Sequence, residues 1–266
     1  MGSDTDVTTL QLLAVDEPPA FELVNVQGRS SAVLVCDHAA NRVPQRLGSL
    51  GLDTGQLASH IAWDPGAAEV ARRLADRLDA PLVLSGYSRL VIDCNRPLNS
   101  AESIAAQSAG IPVPGNLGLS QEQRASRIHT LFRPYHDAIE QLLASRLGRP
   151  SLLLSIHSFT PVWHGKPRPW HIGISCWRER RFAALLRDAL ATDEAISVGD
   201  NQPYPIEDDI DYTIPVHSDA HAIPGVMIEI RQDGIDTAAS AEAWAARLAQ
   251  AYGSIEAVAL EGELKT

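Results

Sequence analysis

The stretch Ala32-Val33-Leu34-Val35-Cys36-Asp37-His38-Ala39-Ala40-Asn41-Arg42-Val43-Pro44 decides how the rest of the chain is read. An apolar run of strand character stops at Asp37-His38 and gives way to small and polar residues. Side chains beyond Cys36 therefore stand at the carboxyl end of a buried strand, where open α/β sheets place their ligands. A histidine there is a metal ligand, a general base or a solvated loop residue, and the stretch alone does not choose. Ser151-Leu152-Leu153-Leu154-Ser155-Ile156 repeats the pattern, ending at His157-Ser158.

Outward from these two strands the elements alternate. Asp53 or Thr54 caps a short helix over 54–61. Pro65 opens a stronger one, with Ala68, Val70, Ala71, Leu74 and Leu78 at helical spacing. Residues 81–84 and 90–93 read as two short strands. Ser120 starts a long helix, Gln123 completing a capping box, and Pro134 predicts a kink or break in it. Strands are expected at 171–176 and 226–230, and helices at 178–190 and 237–251. Residues 97–119 and 199–224 are long polar loops, which in compact domains usually carry function. The alternation predicts a mostly parallel sheet covered on both faces. One domain spans residues 21–266 behind a flexible lead-in of residues 1–20, with a short strand near the junction.

Composition narrows the function. Of 266 residues, 33 are acidic and 22 are Lys or Arg, a formal net charge of -11 that repels phosphate backbones and anionic lipid. Nucleic-acid and membrane partners are therefore not expected. No apolar run approaches the roughly 20 residues that cross a bilayer, and no signal peptide is recognised at Met1-Gly2-Ser3-Asp4. Cys36, Cys94 and Cys176 lie in apolar runs and read as reduced core thiols of a cytoplasmic protein. The sequence has no Gly-rich phosphate loop, Cys-x-x-Cys pair or Gly-x-Ser-x-Gly elbow, which argues against nucleotide binding, structural zinc and serine-hydrolase chemistry.

Three expected strand ends carry ionisable groups: Asp37-His38, Asp93-Cys94-Asn95-Arg96 and His157-Ser158. Glu229 lies among apolar neighbours in the last strand, and Asp64 precedes a helix. Two histidines and a carboxylate are a common three-ligand zinc set that leaves a position for water. A second carboxylate can act as base towards that water, and an arginine can hold an anionic substrate. Plainer readings compete. Asp64 is a helix N-cap, residues 93–96 a turn with an ion pair, and Glu229 the buried partner of Arg231 on the same strand face. His60, His129 and His136 read as packing or helix-surface residues. His217 and His221, bracketed by Pro215 and Pro224, do not read as a helical ligand pair.

As an ordered set, Cys36-Asp37-His38-Ala39-Ala40-Asn41-Arg42-Val43-Pro44, His60-Ile61-Ala62-Trp63-Asp64-Pro65-Gly66, Ser88-Arg89-Leu90-Val91-Ile92-Asp93-Cys94-Asn95-Arg96-Pro97, Ser155-Ile156-His157-Ser158-Phe159-Thr160-Pro161 and Glu229-Ile230-Arg231-Gln232-Asp233 resembles the N-formylglutamate amidohydrolase family. The resemblance runs from about residue 20 to residue 250. The order is also similar, more distantly, to that of zinc carboxypeptidases, whose Asn-Arg, His-Ser and Glu-Leu-Arg pieces match Asn95-Arg96, His157-Ser158 and Glu229-Ile230-Arg231. Their first pair, His-x-x-Glu, departs here, because Asn41 stands where the glutamate would be and an amide oxygen is a poor zinc ligand.

The resemblance implies a single-domain three-layer α/β/α sandwich with a mixed, mostly parallel sheet and one zinc ion. Its ligands are then His38, Asp64 and His157, and Glu229 is the general base. Asn95 and Arg96, with Arg89, Asn41 and Tyr212, contact the substrate, and Asp37, Ser158 and Arg231 support the site. The implied activity is hydrolysis of a small anionic N-acyl amino acid in amino-acid metabolism, with N-formyl-L-glutamate first. Two alternatives stand beside it: a broader deacylase or carboxypeptidase-like peptidase, and a non-catalytic amino-acid-binding protein. A second departure concerns the substrate. Members dedicated to formylglutamate tend to carry Pro-His-Ser-Gly at the first ligand, where this chain has Asp37-His38-Ala39-Ala40.

Overall fold

Val33 and Val35 pack on one face of the central sheet and Leu34 and Cys36 on the other, so the opening strand is buried on both sides. In the computed structural model, which describes residues 11–261, seven strands form that sheet. They are β1 (Phe21–Val24), β2 (Ala32–Cys36), β3 (Leu82–Ser85), β4 (Leu152–Phe159), β5 (Ile172–Cys176), β6 (Val198–Asp200) and β7 (Gly225–Arg231). Their spatial order is β1-β3-β2-β4-β7-β5-β6. The pairs β2/β3, β2/β4, β4/β7 and β5/β6 are parallel, while β1/β3 and β5/β7 are antiparallel. The sheet is thus mixed and mostly parallel.

The helices are α1 (Thr54–Ala58), α2 (Ala67–Leu78), α3 (Gln121–Arg127), α4 (Arg133–Ala144), α5 (Arg181–Leu190), α6 (Thr213–His221) and α7 (Ala238–Leu260). Helices α2, α5 and α7 cover one sheet face, where Val70, Leu74, Leu186 and Leu248 meet Leu34, Leu154 and Ile228. Helices α4 and α6 cover the other, where Ile139, Leu142 and Ile214 meet Val35, Val83, Leu153 and Met227. None of the described helices is long and apolar enough to cross a membrane. Of the lead-in, residues 1–10 lie outside the described residues. Beyond them Leu12 is buried against the loop core, and Pro18 O accepts from Tyr87 Oη at 2.7 Å.

Some elements differ from the expectation. Residues 90–93 are a turn, not a strand. Their carbonyls are taken by side chains, Leu90 by Asn116 Nδ2 at 2.8 Å and Val91 by Arg127 Nη1 at 2.9 Å, and Leu90, Val91 and Ile92 fill a separate core beneath the 97–119 loop. β4 continues through His157 and Ser158, so this histidine lies within a strand and not after it. His217 and His221 do share a helix, α6, because Pro215 falls in its first turn where no N–H is required. At Pro134 the α-helix is interrupted, as expected: α3 ends at Arg127 and α4 begins at Arg133. Ile128–Phe132 widens into a π turn, which makes room for a ring that would otherwise clash with the carbonyl one turn back.

His136 of α4 and His217 of α6 join the two helices on one face. The Cys94 carbonyl accepts from His136 Nε2 at 2.8 Å, so His136 Nδ1 is left to accept from His217 Nε2 at 3.0 Å. Burial holds His136 down at about 3 and His217 at about 4. Unfolding returns both to about 6.5. Between that value and the folded ones the unfolded chain binds more protons, so this pair's contribution is complete above pH 6.5 and falls as the pH drops towards 3. Urea unfolding of metal-free protein at pH 7, 5.5 and 4.5 is expected to show a smaller loss with acidification in the His136→Leu/His217→Leu variant than in the parent chain. Equal losses would remove the pair as the cause.

Candidate metal centre

Asp64 is placed by its backbone. Its N–H donates to the His38 carbonyl at 3.0 Å, and its own carbonyl accepts from the Ala67 N–H as α2 begins. Between them Gly66 turns at φ +82°, where a Cβ would come within 2.5 Å of the Ile235 carbonyl oxygen, so only glycine fits. Gly66 is the N-cap of α2 and no side chain caps the helix. The N-cap reading of Asp64 therefore fails, and its carboxylate turns towards the sheet.

There Asp64 Oδ2 lies 2.9 Å from His157 Nδ1 and 3.4 Å from His38 Nδ1, and accepts from the Ser158 N–H at 3.2 Å. The far nitrogens of both rings meet other carboxylates. His38 Nε2 is 2.7 Å from Asp93 Oδ1, and His157 Nε2 is 3.0 Å from Asp37 Oδ2. An ionised carboxylate only accepts, so each Nε2 carries the hydrogen. In a neutral imidazole that leaves the Nδ1 lone pair aimed at Asp64. Two nitrogens and an oxygen, all acceptors, then converge, an arrangement that suits a cation; without one, each ring takes a second proton to donate to Asp64, and the surrounding carboxylates hold both imidazoles above their ordinary pKa. One ligand atom from each of His38, Asp64 and His157 lies within 4.8 Å of the others, and all three residues are buried.

The charges make the same demand. Asp37, Asp64 and Asp93 are buried, and the guanidinium that reaches them is Arg89, 2.7 Å from Asp93 and 3.7 Å from Asp64. Three carboxylates against one guanidinium leave two negative charges for ring protons or a divalent ion to balance. Burial opposes ionisation of Asp37, yet the hydrogen bond and charge of His157 hold it well below the usual carboxylate range. Asp37 also accepts from Tyr135 Oη at 2.9 Å, Thr213 Oγ1 at 2.7 Å and Ser155 Oγ at 2.9 Å. It thus ties β2 to β4, α4 and α6.

Glu229 lies on β7 directly beside His157 on β4. It is 5 % exposed, its Oε2 has no hydrogen-bond partner, and burial pushes its carboxyl up to about 7. The ion pair with Arg231 does not form. Arg231 turns to Asp233 at 2.8 Å and to the carbonyls of Arg168 and Trp170. Glu229, His38, Asp64 and His157 line one cavity of about 650 Å³, with Arg89, Asn95 and Arg96 in its wall.

Other expected contacts lie elsewhere. Asn41 donates to the Leu57 carbonyl at 2.9 Å and does not line the cavity. The Tyr212 ring packs against Phe132 and His136 in the loop core, so it does not close over a substrate; only its backbone N–H, with that of Thr213, reaches Asn95 Oδ1. Ser158 touches the centre through its N–H, while Arg231 is held away from it. Three further residues take part in the site. Asp93, a strand-end carboxylate in the sequence, orients His38, Asp211 holds Arg96 at 3.3 Å, and His60, which reads as a packing residue, lines the cavity with a buried Nε2 that has no partner. Asp93 had a signal in its place beside Asn95-Arg96. His60 had none apart from its closeness to Asp64.

The profile of a family described as N-formylglutamate amidohydrolase matches residues 30–235. A gene product of Agrobacterium tumefaciens with a known crystal structure is 37% identical, with a TM-score of 0.87 over 92% of this chain and 99% of that one. The N-formylglutamate amidohydrolase of Ralstonia eutropha JMP134 shares the fold at 17% identity, with a TM-score of 0.62 over 92% of this chain and all, 100%, of that one. A metallo-carboxypeptidase from Pseudomonas aeruginosa gives a TM-score of 0.43 at 12% identity, over 89% of this chain and 64% of its own. No curated protein sequence matches.

Removing a buried charge that satisfies several donors typically costs about 3–5 kcal/mol. Asp37→Ala is expected to destabilise the protein by about that much in urea unfolding. Glu102→Ala, on the exposed cavity rim, should change stability by no more than about 0.5 kcal/mol. Similar stability for the two variants would refute the role given to Asp37.

Proposed function

The chain belongs to the N-formylglutamate amidohydrolase family, and on that premise we propose that it is a zinc-dependent hydrolase of small N-acyl amino acids. N-formyl-L-glutamate, split to formate and L-glutamate, is the reference substrate. The observation that carries this reading is the convergence of His38 Nδ1, Asp64 and His157 Nδ1 beside an unpartnered Glu229 carboxylate in one cavity. The donor set and its uncompensated negative charge fit a divalent cation.

Zinc held by His38, Asp64 and His157 would supply a Lewis acid for the acyl oxygen and bring the pKa of bound water towards about 7. The chain's residues do the rest. Glu229, with a carboxyl near 7, takes the proton of the attacking water and returns it to the amine as the C–N bond breaks. The water oxygen ends in the released carboxylic acid, and the amino acid leaves with its amine restored. Arg89, 3.7 Å from Asp64, is assigned to the charge that develops on the acyl oxygen. Arg96 offers its guanidinium to the α-carboxylate. Asn95 donates from Nδ2 to Asp211 and accepts two backbone N–H groups at Oδ1, so it positions Arg96's surroundings. The buried free thiols of Cys36, Cys94 and Cys176 accord with a reducing compartment, for which we infer the cytoplasm.

Elemental analysis with a formate-release assay tests the reading. Protein purified without chelator is expected to hold about one zinc ion per chain, as three-ligand catalytic sites do. Glu229→Gln should lower kcat by about 10²–10⁴-fold, the usual contribution of a general base, with zinc content unchanged. Asp93→Asn should weaken zinc affinity by about 10–100-fold, as loss of an orienting carboxylate does. Full activity in Glu229→Gln would overturn the base, and protein that neither binds zinc nor responds to it would favour a non-catalytic binder.

A further inference from the structure

The cavity holds more acid than this chemistry uses, and both of its arginines already have partners. Among the described residues, Arg89 and Arg96 are the only arginine or lysine side chains in its wall. Arg89 is held against Asp93 and Asp64, at the reacting centre. Arg96 donates from Nη1 to the Asn95 carbonyl at 2.9 Å and to Asp211 Oδ1 at 3.3 Å. Its Nε and Nη2 make no hydrogen bond to a described residue, so the fork has room for one carboxylate.

Asp211 is not a chance neighbour of that fork. It is 7 % exposed, its Oδ1 also accepts from Asn95 Nδ2 at 3.1 Å, and its Oδ2 accepts from the Glu207 N–H at 3.1 Å. The closed turn from Glu207 to Asp211 therefore fixes a negative charge on Arg96 and presents Glu207 to the cavity. Glu102, from the 97–119 loop, adds a second carboxylate to the wall, and neither glutamate has an ion-pair partner among the described residues. A substrate with two carboxylates would meet like charge here, while Arg168 is occupied by the Phe159, Trp163 and Tyr204 rings and donates to Tyr204 Oη at 2.7 Å.

Resting on the hydrolase reading above, we propose that the preferred substrate is an N-acyl amino acid with a single carboxylate and a neutral or, better, cationic side chain. Arg96 takes the α-carboxylate, and Glu102 and Glu207 face the side chain. Asp211 is the positioning residue that holds Arg96 through Nη1 and offsets part of its charge. The reaction is unchanged: water adds to the acyl carbon, the C–N bond breaks, and the amine takes the proton.

The test compares N-formyl-L-lysine, N-formyl-L-glutamine and N-formyl-L-glutamate, which share the formamide and the α-carboxylate and differ in side-chain charge. With zinc-loaded protein, kcat/KM for the lysine and glutamine compounds is expected to exceed that for the glutamate compound by about tenfold or more, the size of one like-charge contact near a protein surface. In Glu102→Gln/Glu207→Gln the lysine-to-glutamate ratio should fall by about tenfold. A parent protein that prefers N-formyl-L-glutamate overturns this proposal and leaves the hydrolase reading standing, as does an unchanged ratio in the double variant. Formate from none of the three overturns the hydrolase reading itself.

Discussion

Two imidazoles aimed at one carboxylate oxygen set the terms for everything around them. His38 and His157 can face Asp64 Oδ2 with bare nitrogens only if their hydrogens point the other way, and Asp93 and Asp37 receive those hydrogens. Each of these carboxylates then needs support of its own in a buried place. Asp93 finds it in Arg89 and the Asn95 N–H, and Asp37 in Tyr135, Ser155 and Thr213. The centre thereby draws on β2, β4, α4 and α6 together with the loop after β3, although its outer two residues, His38 and His157, lie 119 positions apart in the sequence. The parallel register of β4 and β7 adds Glu229 at the height of His157 without further machinery.

The sequence showed the strand-end residues best, because an apolar run broken by histidine is a local signal. His38, His157 and Glu229 stood out in that way, and the structure brings them into one cavity. β2 stops at Cys36, as its sequence indicates, whereas β4 runs on past His157 because its neighbour β7 continues to pair with it through Arg231. Pairing partners are long-range facts that a single strand does not contain. For the same reason residues 90–93 passed for a strand. Their apolar pattern answers to a core beneath the loops, and their carbonyls are satisfied by Asn116 and by the buried Arg127.

Tyr212 and Asn41 show the opposite error. Both are polar residues next to chemistry in the sequence, yet their side chains are used for packing and for closing a helix end. Local sequence reports that a side chain can make hydrogen bonds but not which way it points. Asp64 illustrates how much can turn on direction, since the same residue before Pro65-Gly66 would serve equally well as a helix cap. The positive φ at Gly66 and the Asp64 N–H bond to His38 turn it inward, and neither can be read from residue types alone.

Glu229 carries the cost of the design at a single atom. A buried carboxylate without a donor is unfavourable by several kcal/mol relative to a paired one, and suitable donors are close by in the chain. Arg231, two residues along the strand, is drawn away by Asp233 and two carbonyls, and the Gln232 amide donates to Ser158 Oγ at 3.2 Å. A pairing that would stabilise the fold is thus withheld at the position where a group able to exchange a proton near neutrality is useful. Local instability of this kind is expected where a site, and not the core, sets the requirement. The same logic separates the cavity's two arginines. Arg89 is tied into the carboxylates that hold the centre together, so the recognition proposed above falls to Arg96, which is paired with Asp211. On the proposed reading, what the cavity accepts rests on the 97–119 loop and the Glu207–Asp211 turn, while the groups assigned to the chemistry are held at the sheet.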